Sequence, residues 1–257
     1  MANITTDTIV YLHGFTGSSD DWLEIASRIK QQGYPAQRIS VIGHGQTSSG
    51  SWEHLRDYNM EQVALRINIM TPARYHLVGY SMGGRLALYI ATHYPDIVQS
   101  LTLVSASPGL KTEAERLARQ QSDNALADKI EANGIEWFVD FWENLSLWDT
   151  QSTELKANLR AKRLQNSPIG LANSLRGMGT GVMPSLWDEL SDLPMSVQLI
   201  VGEHDHKFVA INQEMHTLIP HSQLTIIDNA GHACHLEKPR QVTNILLKFL
   251  QTQTPNI

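Results

Sequence analysis

The sequence has a single cysteine and no apolar run long enough to cross a membrane. Cys234 stands alone among 257 residues, which excludes an internal disulfide bond and fits a reducing compartment. A membrane-spanning helix needs about 20 consecutive apolar residues, and no segment of the sequence has them. The first seven residues, MANITTD, lack the basic and apolar regions of a signal peptide. We therefore expect a cytoplasmic protein without membrane insertion.

Positive charge is also scarce. The chain has 20 lysines and arginines against 26 aspartates and glutamates, which gives a net charge of −6. This balance argues against nucleic acid or an anionic membrane as a partner. Aromatic residues make up only 7% of the chain, but a hydrophobic content of 42% is sufficient for a core. The length fits one α/β domain, or a core domain with an inserted lid.

The segment around Ser81 carries the strongest chemical signal. A short apolar run leads into Gly79-Tyr80-Ser81-Met82-Gly83, and a helical pattern follows. This is the Gly-x-Ser-x-Gly arrangement of a nucleophile elbow, in which a tight strand-to-helix turn exposes the serine hydroxyl. The small residues permit the turn, and the start of the following helix favours negative charge nearby. The alternative is an ordinary loop between a strand and a helix.

Buried strands alternate with amphipathic helices along most of the chain, which predicts a mostly parallel sheet flanked by helices. The predicted strands are Thr8–Leu12, Arg38–Ile42, Tyr75–Tyr80, Val98–Val104, Val197–Val201 and Leu224–Ile227. The predicted helices include one capped by Asp20-Asp21, one over Met60–Met70 and one over Arg240–Leu250. Residues 108–184 show no buried strand. We predict that they form a helical cap, inserted into an α/β core made of residues 1–107 and 185–257.

Two loops in the second half of the chain supply partners for the serine. Asp205 and His232 each follow a predicted strand, at the sheet edge where open α/β sheets keep their sites. The order Ser, Asp, His is that of an α/β-hydrolase triad, in which the histidine takes the serine proton and the aspartate orients the histidine. Glu203 is an alternative to Asp205, but it lies closer to the strand end. His235 is an alternative to His232, which we favour because Gly231 permits a sharp loop.

The spacing of some histidines superficially resembles that of metal ligands. His204-x-His206 and His232-x-x-His235 are the two examples. No compact set of further cysteine, histidine or carboxylate ligands accompanies either pair. We therefore predict no metal site, and we predict no cofactor.

Several motifs together resemble the α/β-hydrolase superfamily, over nearly the whole chain. Within it the chain resembles the synthases of 2-succinyl-6-hydroxy-2,4-cyclohexadiene-1-carboxylate, which belong to menaquinone and phylloquinone biosynthesis. The motifs that carry this narrower resemblance are LHGFTG at 12–17, GYSMGGR at 79–85 and GE-x-D-x-KF at 202–208. A further motif lies in the predicted cap, where PGL at 108–110 is followed by Glu115, Arg116, Arg119 and Asp123. The cap motif is the more specific, because the elbow also occurs in esterases.

The resemblance implies a reaction and a set of site residues. These synthases eliminate pyruvate from a cyclohexene that carries succinyl, carboxylate and enolpyruvyl groups, so the implied substrate is a small polycarboxylate. Ser81, activated by the triad, would act as a base that removes a ring proton. The backbone N–H groups of Phe15 and Met82 would form the oxyanion hole. The resemblance assigns carboxylate binding to three arginines and pocket walls to two aromatic residues: Arg85, Arg119, Arg163, Tyr80 and Trp142.

The residues alone leave other interpretations open. A carboxylesterase or a carbon–carbon bond hydrolase could use the same triad, and a non-catalytic α/β-hydrolase could bind a ligand. Arginine's planar fork suits carboxylates, but Arg85 could equally form a salt bridge on its helix. Arg119 could belong to a solvated charged face. Arg163 has Arg160 and Lys162 as neighbours, either of which could be the binder instead.

Overall fold

A six-stranded parallel sheet organises the chain in the computed structural model, which describes residues 8–45 and 54–253. The strand order is β2-β1-β3-β4-β5-β6. The strands are β1 (Ile9–Leu12), β2 (Ala36–Ile39), β3 (Tyr75–Tyr80), β4 (Val98–Val104), β5 (Ser196–Gly202) and β6 (Ser222–Ile227). The four inner strands are almost wholly buried, whereas the edge strands β2 and β6 are partly exposed. This is expected of a parallel sheet covered on both faces.

Helices cover both faces of the sheet and fill the segment between β4 and β5. They are α1 (Leu23–Gln31), α2 (Met60–Met70), α3 (Met82–His93), α4 (Glu113–Glu143), α5 (Thr153–Arg163), α6 (Pro168–Met178), α7 (His206–Leu218), α8 (Cys234–Glu237) and α9 (Pro239–Gln253). Within the described ranges, no helix has the length and apolar character needed to cross a membrane.

Two hydrophobic layers hold the helices to the sheet. In β1, Val10 and Leu12 belong to one layer and Ile9 and Tyr11 to the other, because successive side chains of a strand point to opposite faces. Since all strands run in the same direction, the loops that follow β1, β3, β5 and β6 meet at one edge of the sheet. Those loops carry the predicted site residues, so the topology brings together residues that are far apart in sequence.

The segment between β4 and β5 contains α4, α5 and α6 and has a small core of its own. Seven residues from α4 and α6 form it: Ala127, Ile130, Phe138, Val139, Leu171, Ala172 and Leu175. Helix α4 begins with a capping box between Thr112 and Glu115, which satisfies amides that have no partner within the helix. It breaks at Gly134, whose φ of 81° is favourable for glycine. The boundaries of the cap at 108 and 184 stay a prediction.

Several predicted bounds differ from the structure by one to three residues, and two of the differences have a visible physical cause. The strand predicted at Arg38–Ile42 spans Ala36–Ile39. It ends before Val41, because the backbone N–H of Val41 donates to the Nε2 atom of His13 at 2.9 Å and is not available to a strand ladder. The helical segment before α1 is capped by Ser18 instead of Asp20-Asp21. The Ser18 hydroxyl accepts from backbone N–H groups of the following turn, and Asp21 accepts from the Ser18 N–H in return.

Candidate active site

Ser81 lies in the sharp turn between β3 and α3. Its φ of 49° and ψ of −108° are strained values for a residue with a side chain, and such strain concentrates at functional sites. A Cβ atom added to Gly79 would collide with the carbonyl of Gly83, and one added to Gly83 would collide with the backbone of His13. The turn therefore requires glycine on both sides of the serine, as the elbow motif predicts.

His232 connects Ser81 to Asp205. Its Nε2 atom lies 3.0 Å from the Ser81 hydroxyl, and its Nδ1 atom lies 2.6 Å from a carboxylate oxygen of Asp205. Asp205 and His232 are both buried. With a proton on Nδ1 donated to Asp205, Nε2 is free to accept the proton of the serine. This is the arrangement of a nucleophile–histidine–carboxylate triad.

The two alternative triad residues have other roles. Glu203 is exposed, and its carboxylate accepts the backbone N–H of Asn229 at 2.9 Å. His235 is buried between the rings of Trp22 and Tyr80, whose centroids lie 4.6 and 4.1 Å from its own. Burial lowers the pKa of His235 to about 3, and within the described residues neither of its ring nitrogens has a hydrogen-bond partner. The geometry therefore supports Asp205 and His232.

The two amides predicted to form an oxyanion hole stand beside Ser81. Phe15 follows β1, Met82 is the first residue of α3, and both line the same cavity as Ser81. Within the described part of the chain, neither backbone N–H donates a hydrogen bond to another residue. The start of α3 also carries the positive end of the helix dipole. The assignment of these two amides to an oxyanion hole stays a prediction.

The triad opens into a cavity of about 320 Å³ between the sheet edge and helices α4 and α6. Arg85 and Arg119 both line it, as do Tyr80 and Trp142. Arg85 donates to the carbonyl of Met178 at 2.8 Å. Burial, with a further contribution from the charge of Arg119, lowers the pKa of Arg85 to about 10, so it remains charged at neutral pH. The cavity is thus lined by Ser81 of the triad, by Phe15 and Met82, and by two arginines.

Proteins of known sequence and structure resemble this chain closely. A family model described as the α/β-hydrolase fold matches residues 7–239. A protein of Bacillus subtilis (strain 168), provisionally named 2-succinyl-6-hydroxy-2,4-cyclohexadiene-1-carboxylate synthase, is 42% identical over 95% of this chain and 90% of its own length. The synthase of that name from Enterobacter sp. (strain 638) is 30% identical over 97% of this chain and 93% of its own. The structure titled MenH from S. aureus matches with a TM-score of 0.91 at 34% identity, covering 98% of this chain and 96% of that one.

The chain belongs to the α/β-hydrolase family. Within that family it groups with the 2-succinyl-6-hydroxy-2,4-cyclohexadiene-1-carboxylate synthases, which confirms the resemblance inferred from the motifs. The parallel sheet with flanking helices confirms the predicted fold class.

Arg163 is placed differently from the other two arginines predicted to bind carboxylates in this α/β-hydrolase. It is buried, its guanidinium lies 3.2 Å from the carboxylate of Glu143, and it stacks over the ring of Trp148 at 5.1 Å. It lines a separate, smaller cavity behind the wall that Phe15, Tyr80 and Trp148 form. Its charge is therefore already paired, and its role as a carboxylate binder stays a prediction.

Several residues without a predicted role also line the catalytic cavity of this α/β-hydrolase. Lys207 and Phe208 lie in the first turn of α7, and the Phe208 ring lies 4.6 Å from the ring of His232. Asp123 accepts the Nε–H of Arg119 at 2.8 Å. All three occur in the motifs that carry the resemblance. Lys207 and Phe208 follow Asp205 closely enough to lie at the same edge of the sheet. This spacing could have predicted that they line the cavity.

The described ranges contain no arrangement of side chains typical of a metal site. No group of three or more histidine, cysteine, aspartate or glutamate side chains there is arranged to hold a metal ion. Cys234 is buried, and burial raises the pKa of its thiol to about 12, so it is a poor nucleophile at neutral pH. That the enzyme needs neither metal nor cofactor stays a prediction.

Proposed function

We propose that this protein eliminates pyruvate from 2-succinyl-5-enolpyruvyl-6-hydroxy-3-cyclohexene-1-carboxylate, and so makes 2-succinyl-6-hydroxy-2,4-cyclohexadiene-1-carboxylate for menaquinone or phylloquinone synthesis. The observation that carries the proposal is the joint placement of the triad and two arginines in one cavity. Synthases of this product are similar to the chain along nearly its whole length.

The first step is proton removal from the ring carbon that bears the succinyl group. The Ser81 oxygen takes this proton while its own proton passes to Nε2 of His232, 3.0 Å away. The resulting imidazolium is stabilised by the carboxylate of Asp205 on its other nitrogen. The electron pair of the broken C–H bond moves into the succinyl ketone, whose oxygen becomes an oxyanion.

The backbone N–H groups of Phe15 and Met82 would bind that oxyanion. Donors held in place before the reaction lower the barrier because they need not reorganise as charge develops. The electron pair then returns through the ring. It forms double bonds at C2–C3 and C4–C5 and breaks the bond between C5 and the enolpyruvyl oxygen. The expelled enolpyruvate gains a proton and becomes pyruvate, so the overall reaction consumes no water.

The substrate has three carboxylates, and the cavity has cations to meet them. Arg85 uses one terminal nitrogen on the Met178 carbonyl and retains further N–H donors. Arg119 uses Nε on Asp123, which leaves both terminal nitrogens for a two-point contact with a carboxylate. We assign Arg85 and Arg119 to substrate carboxylates, and Tyr80 and Trp142 to the cavity walls.

The proposed location of the enzyme is the cytoplasm. The only cysteine, Cys234, is a buried free thiol, which is compatible with a reducing compartment. The proposed partner is the small polycarboxylate substrate.

A direct assay tests the function. Purified protein is mixed with the enolpyruvyl substrate, pyruvate is measured with lactate dehydrogenase and NADH, and the diene is followed by its ultraviolet absorbance. We expect pyruvate and diene in equal amounts. Ser81→Ala and His232→Ala should each lose activity by orders of magnitude, and the double variant should be little worse, because triad residues act as a unit. Near-normal turnover by Ser81→Ala would exclude Ser81 as the base, and hydrolysis of esters without pyruvate release would favour a carboxylesterase.

A further inference from the structure

Lys207 supplies a third positive charge to the catalytic cavity. It is the second residue of α7, two positions after Asp205, and it lines the cavity together with Phe208. The side chain is exposed, so it stands where the cavity meets solvent. Its ammonium lies 5.8 Å from the centre of the Phe208 ring, and no carboxylate in the described ranges forms an ion pair with it. Its charge is therefore available to a ligand.

Among the residues that the structure describes, three arginine or lysine side chains line this cavity: Arg85, Arg119 and Lys207. Arg163, the other candidate for a third carboxylate, is neutralised by Glu143 and faces the smaller cavity. A substrate with three carboxylates thus meets three cations, and Lys207 is the one whose ligand is not yet assigned. A buried or half-buried carboxylate without such a partner would carry a large desolvation cost.

We propose that Lys207 binds the carboxylate of the enolpyruvyl group, the part of the substrate that leaves as pyruvate. This inference rests on the proposed function. It divides the cavity into a side that retains the ring product, with Arg85 and Arg119, and a side that releases pyruvate, with Lys207.

The position of His232 explains why the leaving group belongs beside Lys207. His232 gains a proton when the ring is deprotonated, and enolpyruvate needs a proton to become pyruvate. The shortest route for that proton is from Nε2 of His232 to the departing fragment. Phe208 packs its ring 4.6 Å from that of His232, and Lys207 is its neighbour in the chain. The enolpyruvyl group would therefore lie between the histidine and the lysine.

The two arginines are placed differently. They are close enough for the charge of Arg119 to contribute to lowering the pKa of Arg85, and Arg85 contacts Met178 at the end of α6. An arginine fork holds a carboxylate at two points, whereas a lysine ammonium is a hydrated point charge. A single exposed ammonium suits a carboxylate that must be bound during the reaction and released after it.

The test compares ligands that contain different carboxylates. Lys207→Met keeps the length of the side chain and removes the charge. We expect its kcat/KM for the enolpyruvyl substrate to fall about tenfold, the size expected for one charge-assisted hydrogen bond at a partly exposed site. Inhibition by pyruvate should weaken by a similar factor. Competitive inhibition by the diene product, which has no enolpyruvyl group, should stay as in the wild type. Lys207→Arg should restore much of the loss.

Two controls make the comparison specific. Lys111→Met removes the same charge from a lysine outside the catalytic cavity, which pairs with Glu214 of α7. This variant should behave as the wild type. Arg85→Met should weaken both substrate turnover and product inhibition. Unchanged kinetics of Lys207→Met, or equal weakening of substrate and product, would overturn the assignment while leaving the elimination intact. A wild-type protein that releases no pyruvate would instead overturn the proposed function itself.

Discussion

The Nε atom of Arg119 lies 2.8 Å from a carboxylate oxygen of Asp123, one turn further along α4. Asp123 is buried, whereas the Arg119 side chain is about 43% exposed. The aspartate therefore holds one side of a guanidinium that would otherwise be free to move. Because only Nε donates to Asp123, the two terminal nitrogens remain able to bind a substrate carboxylate.

Removing this support should weaken substrate binding without removing the arginine. In Asp123→Asn the amide oxygen can still accept from Nε but carries no charge. We therefore expect kcat/KM for the enolpyruvyl substrate to fall about fivefold, equivalent to about 1 kcal/mol, the difference between a hydrogen bond to a charged group and one between neutral groups. The matched control is Asp128→Asn on the same helix, which pairs with Arg176 and does not line the cavity. Steady-state kinetics of both variants check the prediction. Equal kinetics for the two would show that Arg119 does not depend on Asp123.

Arg85 provides a test of charge recognition. Arg85→Met should reduce kcat/KM for the enolpyruvyl substrate. The loss of transition-state stabilisation should be roughly 2–5 kcal/mol, as expected when one partner of a desolvated charge pair is removed. Its effect on a neutral ester such as p-nitrophenyl acetate should be far smaller, because that substrate has no carboxylate. Arg176→Met, which removes an arginine paired outside the cavity, is the control. Equal losses on both substrates would indicate a structural role for Arg85 and would favour the hydrolase interpretation.

The sequence predicted the inner strands well, and physical reasons explain where it failed. Tyr75–Tyr80 and Val98–Val104 are short segments rich in apolar residues, and each follows a proline-containing turn, so their bounds agree with the structure. The end of β2 could not be read in the same way. Val41 and Ile42 are buried like strand residues, but the contact that removes Val41 from the ladder comes from His13, 28 positions away.

The candidate site likewise contains residues that the sequence could predict and residues that it could not. Ser81, Asp205 and His232 were identifiable because each belongs to a short motif at the end of a strand. Arg163 was less predictable, because its surroundings depend on Glu143, which lies 20 residues earlier in another helix. Local patterns thus indicate which residues reach the sheet edge, and packing between helices decides which charges remain free there.

His235 should make the stability of the protein depend on pH. Burial lowers its pKa from the ordinary value of 6.5 to about 3, and the charges of His232 and Lys162 act in the same direction. Between these two pH values the unfolded chain binds a proton that the folded chain does not. The free energy of unfolding therefore falls as pH is lowered below 6.5, by about 1.4 kcal/mol per pH unit for this one group. Above pH 6.5 His235 is neutral in both the folded and the unfolded chain, so it lowers the free energy of unfolding by nothing there.

Thermal unfolding at several pH values checks this expectation. His235→Phe keeps a ring between Trp22 and Tyr80 and removes the titrating group, so the decrease in Tm between pH 7 and pH 5 should be smaller than in the wild type. His221→Gln, at an exposed histidine, should leave the decrease unchanged. An identical pH dependence in the wild type and His235→Phe would contradict the prediction.

Elimination and hydrolysis use the same triad but differ in what happens to Ser81. In a serine hydrolase the Ser81 oxygen attacks a carbonyl and an acyl-enzyme forms. In the elimination Ser81 only carries a proton, so the enzyme is never covalently modified.

Substrate with deuterium at the ring carbon that bears the succinyl group should react more slowly than unlabelled substrate, provided that proton removal limits the rate. Turnover in H₂¹⁸O should add no ¹⁸O to the diene through a cleavage step, once exchange of the pyruvate ketone is allowed for. Mass spectrometry of enzyme quenched during turnover should show the unmodified mass, and an acyl group on Ser81 in stoichiometric amount would overturn the elimination mechanism.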